Sequence, residues 1–461
     1  MPGLFQGLEI GRRALLTHQL SLTTTGHNIA NVDTPGYTRQ RVNVRATLPE
    51  DNPIGIIGTG VKVADIRHIR DLFLGQQFRR ENKSLGQWTY KEKVMSEIEI
   101  MFNEPNENTL SDMINEFWDS WSALSTYDGT RANILAVADR LTSGFHQLSE
   151  ELSRLKESID QDLDNVIKEV NRITAEIADI NNQIKSQELG DKHANDLRDR
   201  RDYLIDQLST LIDVNVHEDV DGDFTVYLGA MSIVSGRDSM RLGTRVLNVD
   251  GEPLHQLVWE GTDVELDNLN GQLKGLTDAR DIIIPQHMED LNTLARTLVE
   301  QVNALHVTGY GLDGSTGVAF FDPTCLEACN IRVNTEVLNN PSRIAASLTG
   351  EEGDQQIALA ISKLRDVEVL SNGSLTINEY YNSMVGTMGV EVNKARSFAS
   401  NFELLVQQIE FARQSVQGVS LDEEMTNMVK YQQAYDAAAR FITAMDQALD
   451  TVIAAMGIVG R

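Results

Sequence analysis

The chain has 461 residues, of which 68 are Asp or Glu and 40 are Lys or Arg. The resulting net charge of −28 argues against nucleic acid as the main partner, because phosphate binding needs clustered basic side chains. A hydrophobic fraction of 41% is enough for a sizeable core, and the length allows roughly two to four domains. No run of 18 apolar residues occurs, so no membrane-spanning helix and no membrane partner are predicted.

The first predicted element is an amphipathic helix that ends near Asn31. Pro35 favours position i+1 of a turn, and Gly36 supplies the positive φ that a type II turn requires at position i+2. Tyr37 is then expected to pack back against the helix end. The segment from Asn28 to Tyr37 therefore predicts a helix end followed by a fixed turn. The apolar face of the helix follows helical spacing and comprises Leu4, Leu8, Gly11, Leu15, Leu22 and Ile29.

The middle of the chain predicts long helices. No Pro occurs between residues 105 and 253 or after residue 341, as long helices require. From Leu141 to Ile184 apolar residues recur at steps of three and four, which predicts one helix roughly 65 Å long. A compact sphere of this chain would be roughly 58 Å across. An elongated molecule is therefore predicted.

Further helical patterns are expected to pack against this helix. Apolar residues from Tyr381 to Ile409 follow a heptad and predict a partner helix. We expect these apolar stripes to form the core of a helix bundle rather than a ligand site. Shorter helices are predicted at residues 84–102, 109–126, 195–212 and 286–306.

Two β-rich regions are predicted to interrupt the helices. Residues 213–266 contain runs that alternate apolar and polar side chains around the turn signals Asp221-Gly222 and Asp250-Gly251, which predicts a small β insertion made of hairpins. Residues 309–350 are irregular and rich in glycine turns. Near the N-terminus, Val61, Val63 and, after a slip of one residue, Ile66 suggest a strand. The runs in the insertion are 214–216, 224–228, 246–249 and 257–259.

No motif predicts catalytic, cofactor-binding or metal-binding residues, so we expect a protein that is not an enzyme. Asp219, Asp221 and Asp223 resemble the start of a calcium loop, but the Glu that would close it is missing, so a hairpin turn is the preferred interpretation. Cys325 and Cys329 are the only cysteines. Three states remain open for them: plain buried thiols, which we favour, a local disulfide, or a metal site that recruits a distant His.

The C-terminal segment predicts a second long amphipathic helix. Ser420 and Glu423 have the spacing of a capping box at its start. The helix can pack against the N-terminal helix, or between molecules, and the two possibilities are compatible. Its apolar face is widened by Tyr431 and Phe441 and follows an approximate heptad of Leu421, Met425, Met428, Gln432, Tyr435, Ala439, Ile442, Met445, Leu449, Val452 and Met456.

Together these elements predict a mainly α fold with small β modules (α+β) in an elongated multidomain protein. The terminal helices would pair, and the rest would form a long helix bundle with β insertions. The predicted parts are the terminal helices (1–45 and 416–461), the helical-bundle body with β-rich loops (46–212 and 267–415), the β insertion (213–266) and an irregular segment within the body (309–350).

The two ends of the chain resemble the flagellar axial proteins, the family of rod, hook and hook-associated proteins. The N-terminal signature is N-I-A-N-V-D-T-P-G-Y from Asn28 to Tyr37, and the C-terminal one includes S-L-D-E-E-M from Ser420 and Y-Q-Q-A-Y from Tyr431. Arg39-Gln40 and the long helical stretch from Leu85 to Leu211 are most similar to the first hook-associated family.

This resemblance implies a structural component of the bacterial flagellum that forms the hook–filament junction at the distal end of the hook. Its terminal helices would assemble with those of neighbouring copies in a ring, with the hook protein and with the next hook-associated protein. It would be secreted through the flagellar type III apparatus, and an export chaperone would cover the C-terminal helix. A cleaved signal is accordingly not expected in residues 1–30, which lack a continuous apolar core.

Two other functions remain open. The chain could be another flagellar axial protein, such as a hook or distal rod protein, although their middles are mostly β. It could also be an enzyme or secreted adhesin with axial termini, since a catalytic triad forms in space and is not visible in sequence.

Overall fold

The computed structural model describes residues 2–52, 55–102, 109–126, 130–188, 193–219, 222–249, 252–262, 264–266, 269–351 and 353–456. The chain divides into two compact units. The terminal unit comprises Met1–Lys83, Lys168–Leu269 and Phe402–Arg461, and the central unit comprises Ser84–Ile167 and Asn270–Asn401. Each unit therefore combines segments that are distant in sequence.

The described residues are mostly helical, and the predicted mainly α class with small β modules is confirmed. The helices are α1 (Pro2–Ala30), α2 (Leu72–Phe102), α3 (Leu110–Ser125), α4 (Arg131–Gln187), α5 (Asn195–Leu211), α6 (Gln272–Asp278), α7 (Ile284–His306), α8 (Thr335–Asn339), α9 (Gln356–Lys363), α10 (Ile377–Gln417) and α11 (Leu421–Met456).

The helix predicted from Leu141 to Ile184 is confirmed as part of α4, and the helix predicted from Tyr381 to Ile409 is confirmed as part of α10. Helix α2 begins twelve residues before the predicted start at residue 84. Its start is capped by Asp71, whose Oδ1 accepts hydrogen bonds from the backbone N–H groups of Phe73 (2.9 Å) and Leu74 (3.1 Å). A side chain that caps a helix in this way satisfies backbone donors that have no partner within the helix.

All strands of the described chain pair in antiparallel fashion. The pairs form three two-stranded ribbons (β1–β4, β2–β3 and β9–β10) and one four-stranded sheet in the order β5-β6-β7-β8. The strands are β1 (Gln40–Ala46), β2 (Glu50–Asn52), β3 (Gly55–Ile57), β4 (Val61–His68), β5 (Val214–Glu218), β6 (Phe224–Leu228), β7 (Met231–Ser235), β8 (Asp238–Ser239), β9 (Leu242–Val249) and β10 (Glu252–Trp259).

Every strand run predicted in the 213–266 region is confirmed. The hairpin of β7 and β8 was missed, because its strands are too short to show alternation. In the first predicted turn, Gly222 has a positive φ of 80°, and Asp221 lies outside the described residues. Both residues of the second predicted turn, Asp250 and Gly251, also lie outside the described residues.

The slip predicted between Val63 and Ile66 is a β-bulge. Asn43 pairs with Asp65, and the next residue of β1, Val44, pairs with Val63. Ala64 is therefore the extra residue on β4. Beyond this bulge, Ile66 lies on the same face of the strand as Val63, because their partners Val42 and Val44 share one face of β1.

The core of the central unit is aromatic. Phe117, Trp118 and Trp121 on α3 are fully buried. Phe117 contacts Phe320 and Phe321 of the predicted irregular segment, and Trp121 contacts Phe320. Helix α3 begins with a capping box in which the Thr109 hydroxyl and the Asp112 carboxylate each bond the other residue's backbone N–H. The irregular segment thus contributes large side chains to the core, although its regular structure is limited to the short helix α8, one 3-10 turn (Pro341–Arg343) and isolated β-bridges.

The two cysteines are free thiols in the structure. Cys325 is half-buried and Cys329 is exposed, so the favoured interpretation as buried thiols is wrong for Cys329. Partial burial and the neighbouring Glu327 carboxylate raise the pKa of Cys329 above its ordinary value.

His306 connects α7 to the irregular segment from inside the core. Its Nδ1 donates to the carbonyl oxygen of Val318 (2.7 Å), and its Nε2 accepts from the backbone N–H of Ala345 (2.9 Å). The imidazole is therefore neutral, with the proton on Nδ1. Burial lowers its pKa from 6.5 to about 4.

The central unit is accordingly expected to lose stability as the pH falls. Because the pKa of His306 is lower in the folded than in the unfolded state, the unfolded state binds a proton first. Neutral His306 contributes about 3 kcal/mol to the free energy of unfolding. This contribution is complete above pH 6.5 and is lost as the pH falls towards 4. Urea unfolding followed by tryptophan fluorescence would measure it. His306→Gln should flatten the profile, whereas the exposed His217→Gln should not, and equal profiles for all three proteins would contradict the assignment.

Candidate functional site

Helices α1 and α11 pack against each other in antiparallel orientation within the terminal unit. Gly7 lies against Met445, Gly11 lies against Ile442, and Asn28 contacts Glu424, so residue numbers rise along one helix as they fall along the other. The two helices that the sequence placed at opposite ends of the chain are thus partners within one chain.

Gly11 allows the two helices to approach closely. A Cβ atom on Gly11 would lie 2.6 Å from Ile442 Cγ1 and 3.1 Å from Phe441 Cδ1, closer than van der Waals contact. Gly7 lies one turn earlier on the same face and packs against the Met445 side chain. Gly11 belongs to the predicted apolar face, but neither glycine was predicted as a site residue. Two glycines four residues apart on an apolar helix face could have indicated a close helix contact.

Gly11→Leu is therefore expected to force α1 away from α11 and to reduce the number of filaments per cell. Overpacking a tight contact of this kind costs about 1–3 kcal/mol. Gly26→Leu is the matched control, because Gly26 lies on the same helix and has no atom within 4 Å of the position of a Cβ. Electron microscopy would count the filaments. A loss of filaments in the Gly26 variant equal to that in the Gly11 variant would contradict the packing argument.

The predicted apolar faces are only partly covered by this pairing. On α1, Leu8, Leu15, Leu22 and Ile29 are half-buried, and on α11 Leu449 is buried whereas Leu421 and Met425 are exposed. The side chains of Leu4 and Met456 lie outside the described residues. Of the other predicted residues of α11, Gln432 and Phe441 are exposed, and the rest are half-buried: Met428, Tyr431, Tyr435, Ala439, Ile442, Met445 and Val452.

Several exposed apolar side chains of the pair were not among the predicted site residues. Two helices can bury only the stripe that each turns towards the other, so a second apolar stripe stays open to solvent. This open face includes the predicted Met425, which is 60% exposed, and Ile453, which was not predicted and is 66% exposed. Exposed apolar patches of this kind mark surfaces that bind other proteins. The other members of the open face are Phe5, Leu16, Leu421 and Val429.

The turn after α1 has the predicted geometry. The N–H of Tyr37 donates to the carbonyl oxygen of Thr34 (3.1 Å), and Gly36 has a φ of 78°, as a type II turn requires. Gly36 is needed for a second reason, because a Cβ atom there would lie 2.6 Å from Cβ of Tyr203 on α5. Pro35 is exposed. Asn31 closes the helix end, donating to the carbonyl oxygen of His27 (2.9 Å).

Asn28 is the centre of the joint between α1, the turn, β1 and α11. Its Nδ2 donates to the carbonyl oxygen of Gln40 (2.9 Å) and to Glu424 Oε2 (3.1 Å). Its Oδ1 accepts from the hydroxyl of Tyr37 (2.7 Å) and from the backbone N–H of Gln40 (2.9 Å). All four hydrogen-bonding positions of the carboxamide are filled, and only 1% of Asn28 is exposed. The prediction that Tyr37 packs back against the helix end is confirmed.

Arg39 joins the same segment to the start of α11. Its guanidinium group pairs with Glu424 (Nε–Oε1, 2.7 Å) and Glu423 (Nη1–Oε2, 2.7 Å), and its backbone N–H donates to the carbonyl oxygen of Gln417. The predicted capping box of Ser420 and Glu423 is wrong, because Glu423 pairs with Arg39 instead. Charge-assisted bonds from one arginine to two carboxylates are stronger than neutral hydrogen bonds.

Asp199 of α5 holds the other side of the turn. Its carboxylate accepts from the backbone N–H (2.9 Å) and hydroxyl (2.5 Å) of Thr38 and lies 2.7 Å from Nδ1 of His68. Thr38, Asp199 and His68 are residue types found in catalytic triads, but here the hydroxyl donates to the carboxylate rather than to the imidazole. The arrangement therefore lacks the contact between nucleophile and base that activates a hydroxyl.

A cleft of about 850 Å³ lies beside the turn and contains a buried ionic cluster. Asp206 pairs with Arg79 (2.8 Å) and Arg413 (2.7 Å), and Arg70 pairs with Asp202. Burial, together with the positive charge of Arg79, lowers the pKa of Arg70 to about 10. Sequence reasoning missed this cluster, because its members come from α2, α5, α10 and the segment before α2 and follow no local pattern.

Neither a metal site nor a membrane helix is present in the part of the chain that the structure describes. No group of three or more His, Cys, Asp or Glu side chains there could hold a metal ion. The helices of the described residues also fall short of the length and apolarity that crossing a membrane requires.

Models of three flagellar families match the chain. The flagellar hook-associated protein FlgK helical domain matches residues 95–321. The flagella basal body rod protein model matches residues 8–38, and the flagellar basal body rod FlgEFG protein C-terminal model matches residues 412–455. The rod match lies on α1 and its turn, and the C-terminal match lies on the end of α10 and on α11.

Relatives match over the whole chain. Flagellar hook-associated protein 1 of Bacillus subtilis is 32% identical over 507 residues, and the match covers 100% of both chains. The Salmonella typhimurium protein of the same name is 22% identical, over 94% of this chain and 97% of its own. The flagellar hook junction protein FlgK from Burkholderia pseudomallei has a similar fold, with a TM-score of 0.64 at 15% identity over 75% of this chain and 100% of that one. The chain therefore belongs to the flagellar hook-associated protein 1 family.

Proposed function

We propose that this chain is a structural subunit of the hook–filament junction of the bacterial flagellum, and that it joins its neighbours through α1 and α11. The observation that carries the proposal is the open apolar face of this helix pair. Each Å² of apolar surface that a neighbour covers would contribute roughly 25 cal/mol. The partners are other copies of the chain in a ring, the hook protein and the next hook-associated protein.

The joint at Asn28 supports this role. It fixes the angle between α1 and the following strand β1, and it bonds the start of α11 to the same residue. Both terminal helices are therefore held together as one rigid surface. In this proposal, residues 1–45 and 416–461 form the axial core, and residues 46–212 and 267–415 form the body. Residues 213–266 are a β insertion, and residues 309–350 are an irregular segment of the body.

The proposal extends to export before assembly. The chain would be secreted through the flagellar type III apparatus to the distal end of the hook. A chaperone would cover the exposed side of α11, where Leu421, Met425 and Val429 are open to solvent. We propose no catalytic, cofactor or metal role for any residue.

Electron microscopy of cells that lack the chain tests the proposal. We expect hooks of normal length without filaments, and filament protein lost to the medium. Missing hooks would instead indicate a hook or distal rod protein, and normal filaments would reject an axial role altogether. Immunogold labelling of the complemented strain separates this chain from other junction proteins, since label is expected only between hook and filament.

A further inference from the structure

The outward face of the β1–β4 ribbon is basic, although the chain as a whole is acidic. Arg41 pairs with Arg67 across the two strands, and Arg45 pairs with Lys62. Residues 41, 43 and 45 alternate along β1, so they lie on one face of the ribbon with their cross-strand partners. We call Arg41, Arg45, Lys62 and Arg67 the basic ribbon face.

This arrangement is unfavourable in an isolated chain, because like charges directly opposite each other destabilise a strand pair. All four side chains are exposed. Arg67 pairs with Asp65 (2.8 Å), which lies between the two like-charged pairs. The other three form no salt bridge with any residue that the structure describes. Four positive charges thus face solvent with one negative charge among them.

A second copy of the chain offers a surface of complementary charge. The acidic β region, which we define as residues 213–266, holds eleven acidic and three basic side chains. Asp238, Glu260 and Glu265 are exposed there. Copies with a net charge of −28 repel each other, so close packing requires local compensation. The basic ribbon face and the acidic β region both lie in the terminal unit.

We propose that the basic ribbon face of one copy binds the acidic β region of a neighbouring copy in the assembled junction. The contact is heterologous, since it joins two different surfaces, and such contacts close into rings or continue as helical arrays. The inference rests on the proposed function, because it concerns copies that are already assembled side by side. It adds a charged contact outside the apolar pairing of α1 and α11.

Photo-cross-linking in purified hook–filament junctions identifies the partner. Arg45→benzoylphenylalanine is expected to give a product of twice the 51.3 kDa of one chain, with the cross-link inside residues 213–266. Val429→benzoylphenylalanine on the open apolar face is the positive control for cross-linking. A product with a protein of another mass, a cross-link to a different region, or no product while the control reacts would overturn the inference.

Charge reversal tests the same contact in a second way. Arg45→Glu combined with Lys62→Glu is expected to lower the amount of chain in junctions roughly 5- to 50-fold. Each exposed charge contact contributes little by itself, but reversing two charges removes attraction and adds repulsion at both sites. Lys363→Glu combined with Lys394→Glu makes the same charge change at exposed sites of the central unit. Equal losses in the two variants would overturn the inference. If even the wild-type chain is absent from purified junctions, the proposed function fails instead.

Discussion

Replacing Asn28 with leucine is expected to prevent the chain from assembling into flagella. The substitution leaves the backbone N–H and carbonyl of Gln40, the hydroxyl of Tyr37 and one oxygen of Glu424 without the partner they have in the structure. A buried polar group that loses its partner costs about 1–3 kcal/mol. The sum is a large part of the 5–15 kcal/mol or so by which a domain is stable. Filaments per cell and immunoblots of purified junctions measure the outcome.

Asn31→Leu is the matched control for this prediction. Asn31 lies three residues later and is half-exposed, and it bonds the carbonyl of its own helix end and the hydroxyl of Thr34. We expect a cost of about 1 kcal/mol and nearly normal filaments. If both variants fail alike, any change near the turn is disruptive and Asn28 has no special role.

A charge change isolates the contact with Glu424. Asn28→Asp preserves the shape of the side chain but places a second carboxylate beside the buried Glu424, which is 2% exposed. Assembly should fail in this variant and recover in part when Glu424→Gln is added. Absence of any recovery would contradict the proposed pairing.

Deleting residues 421–461 is expected to abolish incorporation at the hook tip while the central unit remains folded. The deletion removes all of α11, and with it the carboxylates that bind Arg39 and the side chains that cover Gly7 and Gly11. Tryptophan fluorescence should still report a folded core, because Trp118 and Trp121 lie in the central unit. Normal filaments in the deletion strain would refute assembly through the terminal helices.

A subtler variant separates assembly from pairing within the chain. Met425, Val429 and Ile453 are exposed on α11, so replacing all three with serine should preserve the contact with α1 and still reduce incorporation. Gln433→Ser combined with Gln447→Ser changes exposed polar positions of the same helix and should have little effect. Equal incorporation of both variants would mean that the open apolar face has no role in assembly.

Sequence reasoning succeeded where structure depends on neighbouring residues. The apolar period from Leu141 to Ile184 predicted α4, because one helix face repeats every 3.6 residues or so whatever it packs against. Pro35 and Gly36 predicted the turn, because their backbone preferences are local. The slip before Ile66 predicted the irregularity of β4, because strand faces alternate with a period of two.

The family, the mainly α class, the terminal helices and the turn after α1 were thus determined by the sequence alone. Only the tertiary structure decided the partners of these elements. Asn28 and Glu424 are 396 residues apart, and Glu423 bonds Arg39 rather than the cap that its spacing predicted. The opposed positive charges of Arg41 and Arg67 likewise became visible only with the strand register. The physical reason is that a side chain bonds or repels whatever the folded chain brings within a few ångströms, and this proximity follows from the packing of distant segments rather than from local order.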